Sequence, residues 1–352
     1  VIDNLQLDTR GPVLIVGGYG TVGAELARLA APVWPLLLTG RTPQRGATLA
    51  ADLGAEVRRW DLTDSEPFTA KVRAVISAVN DPEDRVLRAA VSAGVPYVDI
   101  TRWTTRLARA TASAAVTRPT APVLLSSAWM GGVTSLVVAA LAHELGGASQ
   151  VEIAIRYDLN DRAGADSVEF MDRLGFDFEV VSRGERRLVM PLSEAGTVEI
   201  GARRTKVARI DTPEQFTLPL TLGVDTAITR IGFSANSSTS VLLAAKRVGF
   251  FRWGRSDRWT SLRRSLLYSP GKGGSARIRF DVRGEGGDRS MTIDDPAGQA
   301  HLTALGGLFG LRRVLGDEVP AAPTGISFPE QTDRPQDVVG WLEKAGVTVT
   351  RT

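Results

Sequence analysis

The stretch VLIVGGYGTVGAELARLA, Val13 to Ala30, restricts the possible folds of this chain more than any other. Four apolar residues run into a cluster of glycines, and the chain resumes with alanine, leucine and arginine at helical spacing. A strand that turns at once into a helix needs glycine at defined places. One makes the tight turn, one lets the backbone approach a pyrophosphate, and one lets the helix press against the strand. Gly18, Gly20 and Gly23 have that spacing within the run Gly17, Gly18, Tyr19, Gly20, Thr21, Val22 and Gly23. A helix over Thr21 to Ala30 would aim its unpaired amides at the phosphates. Glycines also gather where a chain merely bends, so the following segments have to decide.

They continue the pattern. Short β-rich runs recur at Val13–Val16, Leu36–Thr39, Glu56–Trp60, Ala74–Ala78, Tyr97–Ile100 and Val123–Ser126. Between most of them lie segments of helical period, such as Arg41 to Gly54 and Pro82 to Gly94. This alternation predicts an α/β fold, a Rossmann-type doubly wound parallel sheet with helices on both faces.

The end of the second strand distinguishes two coenzymes. An NAD site places an acid there for the ribose 2′-hydroxyl, whereas an NADP site places an arginine for the 2′-phosphate. In LLLTGRTPQRG, Thr39 and Gly40 stand where the acid would be, followed by Arg41 and Thr42. A guanidinium fork suits the extra phosphate, so NADP(H) is favoured over NAD(H). Alternatively, Arg41 simply starts the next helix. Asp61, with Leu62 beside it, either meets the adenine edge or caps a following helix.

Composition narrows the function classes. The 352 residues are 43% hydrophobic, enough for about two domains of 100–200 residues each. There is no basic-then-apolar leader and no apolar run of bilayer length, so a cytoplasmic enzyme without membrane anchor is expected. A formal charge of +3 with arginines spread along the chain does not suggest nucleic acid as a partner. The chain has no cysteine and only His143 and His301, which leaves a histidine-built zinc site without ligands; no metal is expected.

The segments AVISAVNDPEDRVLRAAVSAGVPYVDIT, APVLLSSAWMGGVTSLVVAALA, AGQAHLTALGGLFGLRRVL and GISFPEQ resemble the saccharopine dehydrogenase-like reductases. The resemblance implies an NAD(P)-binding Rossmann domain interrupted by an α/β domain whose sheet covers the active-site cleft. It also implies reduction of a C=N or related double bond by hydride transfer. Ala78, Val79 and Asn80 would lie by the nicotinamide ribose, and Tyr97 to Thr101 would end a strand at the cleft. Amino-acid-forming members carry Asp-Pro-Gly where this chain has Met130, Gly131 and Gly132, which points away from an amino-acid substrate and towards an apolar one. Trp103, Trp129, Met130 and Tyr157 are the expected substrate-pocket residues.

Hydride transfer needs a proton source. Tyr97 and Asp99 alternate on a strand and so share a face. They make either a proton-relay pair or a core tyrosine and a helix cap. Tyr157 and Asp158 form a second such pair, of more structural character. His301 opens a late helix and is the better placed histidine; His143 lies in an alanine-leucine helix. The spacing of YSPGK, Tyr268 to Lys272, matches a short-chain dehydrogenase pair, but Pro270 and Gly271 forbid the helical turn that pair needs.

The expected organisation is a dinucleotide-binding domain over 1–130 and 300–352. An inserted α+β domain over 131–299, with a mixed or antiparallel sheet, is expected to serve a small-molecule substrate and a homodimer contact. The aromatic and arginine-rich segment Val248 to Gly274 reads as an amphipathic lid, a membrane-touching surface, or, preferably, a helix with inward aromatics.

Overall fold

The computed structural model describes residues 2–161, 173–253, 271 and 273–351. They divide into two compact units, Val1–Val133 with Thr303–Arg334, and Thr134–Leu302 with Pro335–Thr352.

Elements are numbered along the chain. The first unit carries β1 (Asn4–Leu7), β2 (Val13–Val16), α1 (Thr21–Ala30), β3 (Leu36–Gly40), α2 (Ala47–Leu53) and β4 (Glu56–Arg59). There follow β5 (Thr69–Val72), β6 (Ala74–Ser77), α3 (Arg85–Ser92), β7 (Tyr97–Asp99), α4 (Thr104–Thr117) and β8 (Pro122–Leu125). The chain returns to this unit with most of α9 (Gln299–Leu315) and with β17 (Gly325–Ser327).

Seven strands form one sheet in the order β17-β8-β7-β6-β2-β3-β4, all parallel. Successive residues of each strand serve opposite faces. Leu14, Val16, Val75 and Tyr97 join a core under α3 and α4, whereas Val13, Ile15, Ile76 and Val98 join another under α1 and α9. Continuous apolar strands such as VLIV are what a sheet covered on both faces requires. The strand order reverses between β2 and β6, and open parallel sheets bind ligands at the carboxyl ends of such a pair.

Sequence reading did not foresee a second, two-stranded parallel sheet in which β1 pairs with β5. Its presence means that a strand, not a helix, follows the Asp61 loop, so Asp61 caps no helix.

The second unit carries α5 (Val133–Glu144), β9 (Gln150–Tyr157), β10 (Phe178–Ser182), β11 (Glu185–Val189), β12 (Gly196–Ile200) and β13 (Arg203–Arg209). It continues with α6 (Glu214–Thr221), β14 (Thr226–Phe233), α7 (Asn236–Arg247), α8 (Phe250–Trp253), β15 (Ala276–Gly284), β16 (Gly287–Asp295), α10 (Val338–Lys344) and β18 (Thr348–Arg351). Among the described residues its sheet has nine strands and is mixed: β9 and β14 run parallel, and the other ladders are antiparallel. Along β15 buried and half-buried residues alternate, the pattern of a sheet with one solvated face.

Pro335–Thr352 clusters with this second unit, because β18 pairs with β16. The chain's last segment therefore departs from the expected 300–352 boundary; a short run following a surface helix carries no local signal of which sheet it will join. The Tyr268–Lys272 motif and much of the Val248–Gly274 segment lie outside the described residues. Among the described residues no helix is long and apolar enough to cross a membrane.

Candidate functional site

The glycine-rich turn lies at the carboxyl end of β2, where the strand order reverses. Gly17 adopts φ +80°, which a side chain would strain. A β-carbon on Gly23 would stand 2.0 Å from the Gly17 carbonyl oxygen, so α1 can seat on the turn only with glycine there. Gly20 is different: it is exposed, with the Gly17 oxygen at 3.3 Å the only atom near an added β-carbon. The helical ladder begins at the Ala24 N–H to Gly20 oxygen bond of 2.8 Å, and no side chain caps α1. The amides of Thr21, Val22 and Gly23 thus precede the ladder at an open helix end, where the dipole favours an anion. These glycines fit a pyrophosphate: two are closed by packing, and the third leaves the backbone bare.

Beyond β3, Tyr19 lies across two further glycines. A β-carbon at Gly40 would sit 2.4 Å from its hydroxyl oxygen, and one at Gly46 would sit 2.5 Å from its ring. The Thr42 amide donates to the Tyr19 hydroxyl at 3.0 Å. Burial raises the Tyr19 pKa, while that bond and the charges of Arg45 and Arg41 oppose the rise. Arg41 and Arg45 are both exposed, and neither guanidinium hydrogen-bonds or ion-pairs with a described residue, although the Arg45 amide donates to the Thr42 oxygen at 3.1 Å. Arg41 precedes the short helical turn that opens at Pro43 rather than belonging to it. Sequence reading passed over Arg45, although its place four residues after Arg41 was a readable signal.

The neighbouring loop after β4 holds Asp61 and half-buried Leu62, which packs on the core. The Asp61 carboxylate receives the Thr63 amide at 3.1 Å and the Thr63 hydroxyl at 2.8 Å, and these bonds lower its pKa.

After β6, the Ala78 amide continues the sheet to the Val16 oxygen at 3.0 Å, and the Val79 oxygen accepts the Thr101 hydroxyl at 2.9 Å. Asn80 is exposed, and its carbonyl accepts from Arg106. Tyr97 and Asp99 do meet, as alternation requires: the Tyr97 hydroxyl donates to Asp99 Oδ2 at 2.5 Å. Tyr97, however, is 0% exposed and Asp99 1%. Asp99 also receives Arg102 Nε at 2.8 Å, the Ser127 hydroxyl at 3.1 Å and the Thr101 amide at 3.1 Å. Arg102 in turn donates to Asp84. Burial, with the Asp99 charge, pushes the Tyr97 phenol well up.

This corrects the expectation of a proton relay facing a ligand. The Tyr97 hydroxyl is enclosed and committed, and the pair instead ties the carboxyl ends of β7 and β8 to the loops that bear Val79 and Thr101. Nor does Asp99 cap α4, which starts at Thr104 without a side-chain cap.

The turn after β8 is locked. Met130, Gly131 and Gly132 have φ of 55°, 60° and 93°, a left-handed run that costs about 1–2 kcal/mol at the one residue with a side chain. The Ser126 hydroxyl donates to the Gly131 oxygen at 2.8 Å, and the Thr303 hydroxyl from α9 reaches the Met130 sulfur at 3.4 Å. Met130 and Trp103 are buried and Trp129 is half-buried. Of the expected pocket residues in this unit, Trp129 alone keeps substantial exposure.

In the second unit, His301 Nδ1 lies 2.8 Å from Asp295 Oδ2. Asp295 is buried and also receives the Ala297 amide at 2.9 Å, so the imidazole is oriented by a fixed carboxylate. The Asp295 partner, six residues earlier across a turn, was not foreseen. Tyr157 packs against Phe233 with ring centres 5.7 Å apart, which suits the structural reading, and His143 is exposed on α5.

No protein-family model and no curated protein matches the chain. Among solved structures, the apo saccharopine dehydrogenase (L-Glu forming) from Saccharomyces cerevisiae superposes with a TM-score of 0.63. It is 12% identical, over 97% of this chain and 100% of that one. At that identity the likeness establishes the fold, and this chain has the fold of that dehydrogenase. Biliverdin reductase from Synechocystis sp. PCC 6803, in complex with biliverdin and NADP+, also matches, at 13% identity over 96% and 99% of the two chains. A scyllo-inositol dehydrogenase from Lactobacillus casei matches at 10% over 97% and 98%. Their TM-scores of 0.42 and 0.44 are too low to add to the argument.

Proposed function

We propose that the protein is an NADPH-dependent oxidoreductase that reduces a C=N bond, or a polarised C=C or C=O bond, of a small apolar metabolite. The observation that carries this reading is the uncapped, exposed amino end of α1 behind the Gly17–Gly23 turn, at the point where the strand order reverses. NADPH, when bound, supplies the hydride. The amides of Thr21 to Gly23 hold the pyrophosphate. Arg41 and Arg45, their guanidinium groups unengaged with described residues, hold the 2′-phosphate.

Ala78 and Val79 border the nicotinamide side, held in place by Thr101 and the Asp99 network. His301, oriented by Asp295, is the proton donor in this reading. Met130 and the two glycines after it place no charge at their turn, which favours an apolar substrate; Trp129 offers it a ring.

A second reading is an NADP-binding protein without turnover. The enclosure of Tyr97 and Asp99 favours it, since that removes one proton donor. Calorimetric titration with NADPH and NADH tests coenzyme binding, and stopped-flow oxidation of NADPH with cyclic imines and enones tests turnover. Tight NADPH binding with no consumption by any substrate selects the second reading; no heat with either coenzyme removes both.

A further inference from the structure

The geometry points to Arg85 as the positioning residue of the adenine side: together with Asp3, it fixes the loop 61–66 in the shape that receives the adenosine half of the coenzyme. The inference rests on the reading of the first unit as a dinucleotide site and adds how one wall of that site is built.

An arginine carries five N–H donors in a rigid plane. Arg85, on the first turn of α3, is buried and uses all three of its nitrogens. Nε donates to Asp3 Oδ2 at 2.7 Å, and Nη2 donates to Asp3 Oδ1 at 2.8 Å and the Glu66 oxygen at 2.8 Å. Nη1 reaches three loop carbonyls, those of Asp61 at 3.1 Å, Leu62 at 3.2 Å and Asp64 at 2.5 Å.

The loop has no ladder of its own between β4 and β5; the Asp64 amide closes one turn on the Asp61 oxygen at 3.1 Å, and without Arg85 the carbonyls of Leu62, Asp64 and Glu66 would turn to water. One guanidinium gathers four of them. Asp3 neutralises the buried cation and is itself anchored, since its Oδ1 accepts the Phe68 amide at 2.8 Å. The pairing of β1 with β5 then ties the start of the chain to the end of the same loop. Two residues 82 positions apart thereby set the backbone that presents Asp61 and Leu62.

A merely stabilising arginine exists in the same unit for contrast. Arg313 is also buried and donates to the carbonyls of Pro329 at 3.1 Å and Gln331 at 2.8 Å, in a different loop. Lysine at either position keeps the charge but loses the planar fork.

The test compares the full-length protein with Arg85→Lys, Asp3→Asn and Arg313→Lys. Calorimetry measures binding of NADPH and of 2′,5′-ADP, the adenosine half alone, and urea unfolding measures stability. Freeing a loop that must be re-ordered on binding is expected to weaken both ligands by the same factor, roughly tenfold, in Arg85→Lys and Asp3→Asn. Arg313→Lys is expected to lower stability and leave 2′,5′-ADP affinity unchanged. Wild-type affinity for 2′,5′-ADP in Arg85→Lys and Asp3→Asn overturns the inference, as does an equal loss in Arg313→Lys. Should Arg85→Lys not fold, Asp3→Asn decides alone. A wild-type protein that binds neither ligand, nor NADH, overturns the dinucleotide reading itself, and this inference with it.

Discussion

Gly23 lies so close to Gly17 that a β-carbon on the former would stand 2.0 Å from the carbonyl oxygen of the latter. Backbone, not a flexible side chain, occupies that space, so α1 can keep its seat on the turn only while the position is bare. Gly23→Ala is therefore expected to lift the amino end of α1 off the turn. Losing one charge-assisted amide contact to the pyrophosphate costs about 1.5–3 kcal/mol, roughly 10- to 100-fold in NADPH affinity. NADPH affinity by calorimetry, with circular dichroism to show that the sheet survives, checks this.

Arg41 and Arg45 distinguish the two coenzymes in the proposed reading. Each charge-assisted contact contributes about 1.5–3 kcal/mol, so Arg41→Ala should weaken NADPH by roughly 10- to 100-fold and leave NADH nearly unchanged. The ratio of the two dissociation constants is the measurement. Losses in both coenzymes alike would show that Arg41 does not meet the 2′-phosphate.

Asp3 gives the stability a defined pH dependence. Burial alone would raise its carboxyl, but the Arg85 guanidinium and the Phe68 amide outweigh that and hold it below 3.8. A carboxyl depressed in the folded state stabilises above its unfolded value and stops doing so as pH falls through the folded one. Asp3→Asn should thus cost about 1–3 kcal/mol at neutral pH. The gap to wild type should close as pH drops below 3.8, followed by urea unfolding at stepped pH.

Tyr97→Phe separates a structural hydroxyl from a catalytic one. Removing it leaves a buried carboxylate short of one donor, a loss of about 1–3 kcal/mol in stability. Single-turnover hydride transfer should stay within about twofold of wild type, whereas a general acid would lose 10²–10⁴-fold.

His301→Asn keeps a polar group beside Asp295 and removes the titrating ring. In the proposed reading the rate at saturating NADPH should fall by about 10²-fold or more, with coenzyme affinity retained. An unchanged rate would place the proton elsewhere.

The glycine spacing was legible because it is local: turn, approach and packing all act within seven residues. That Arg41 directly follows the second strand of the large sheet was legible for the same reason. Tyr97 and Asp99 were legible as a pair sharing a face, but not as an enclosed pair, because burial depends on α3, α4 and the strands beside β7. Arg102, three residues after Asp99, gave some warning that the carboxylate was already engaged. Asp3 and Arg85 gave none, since nothing local relates residues 82 positions apart.

By itself the sequence determined the strand and helix alternation, the parallel sheet covered on both faces, and the bare helix end after β2. These follow from side-chain period and backbone freedom, which act over a few residues. Tertiary structure alone decided that β1 would pair with β5, that the last strand would join the second sheet, and which carboxylates would be enclosed. Each of those depends on partners brought together from distant positions, where the free energy of burial and hydrogen-bond satisfaction, not local preference, makes the choice.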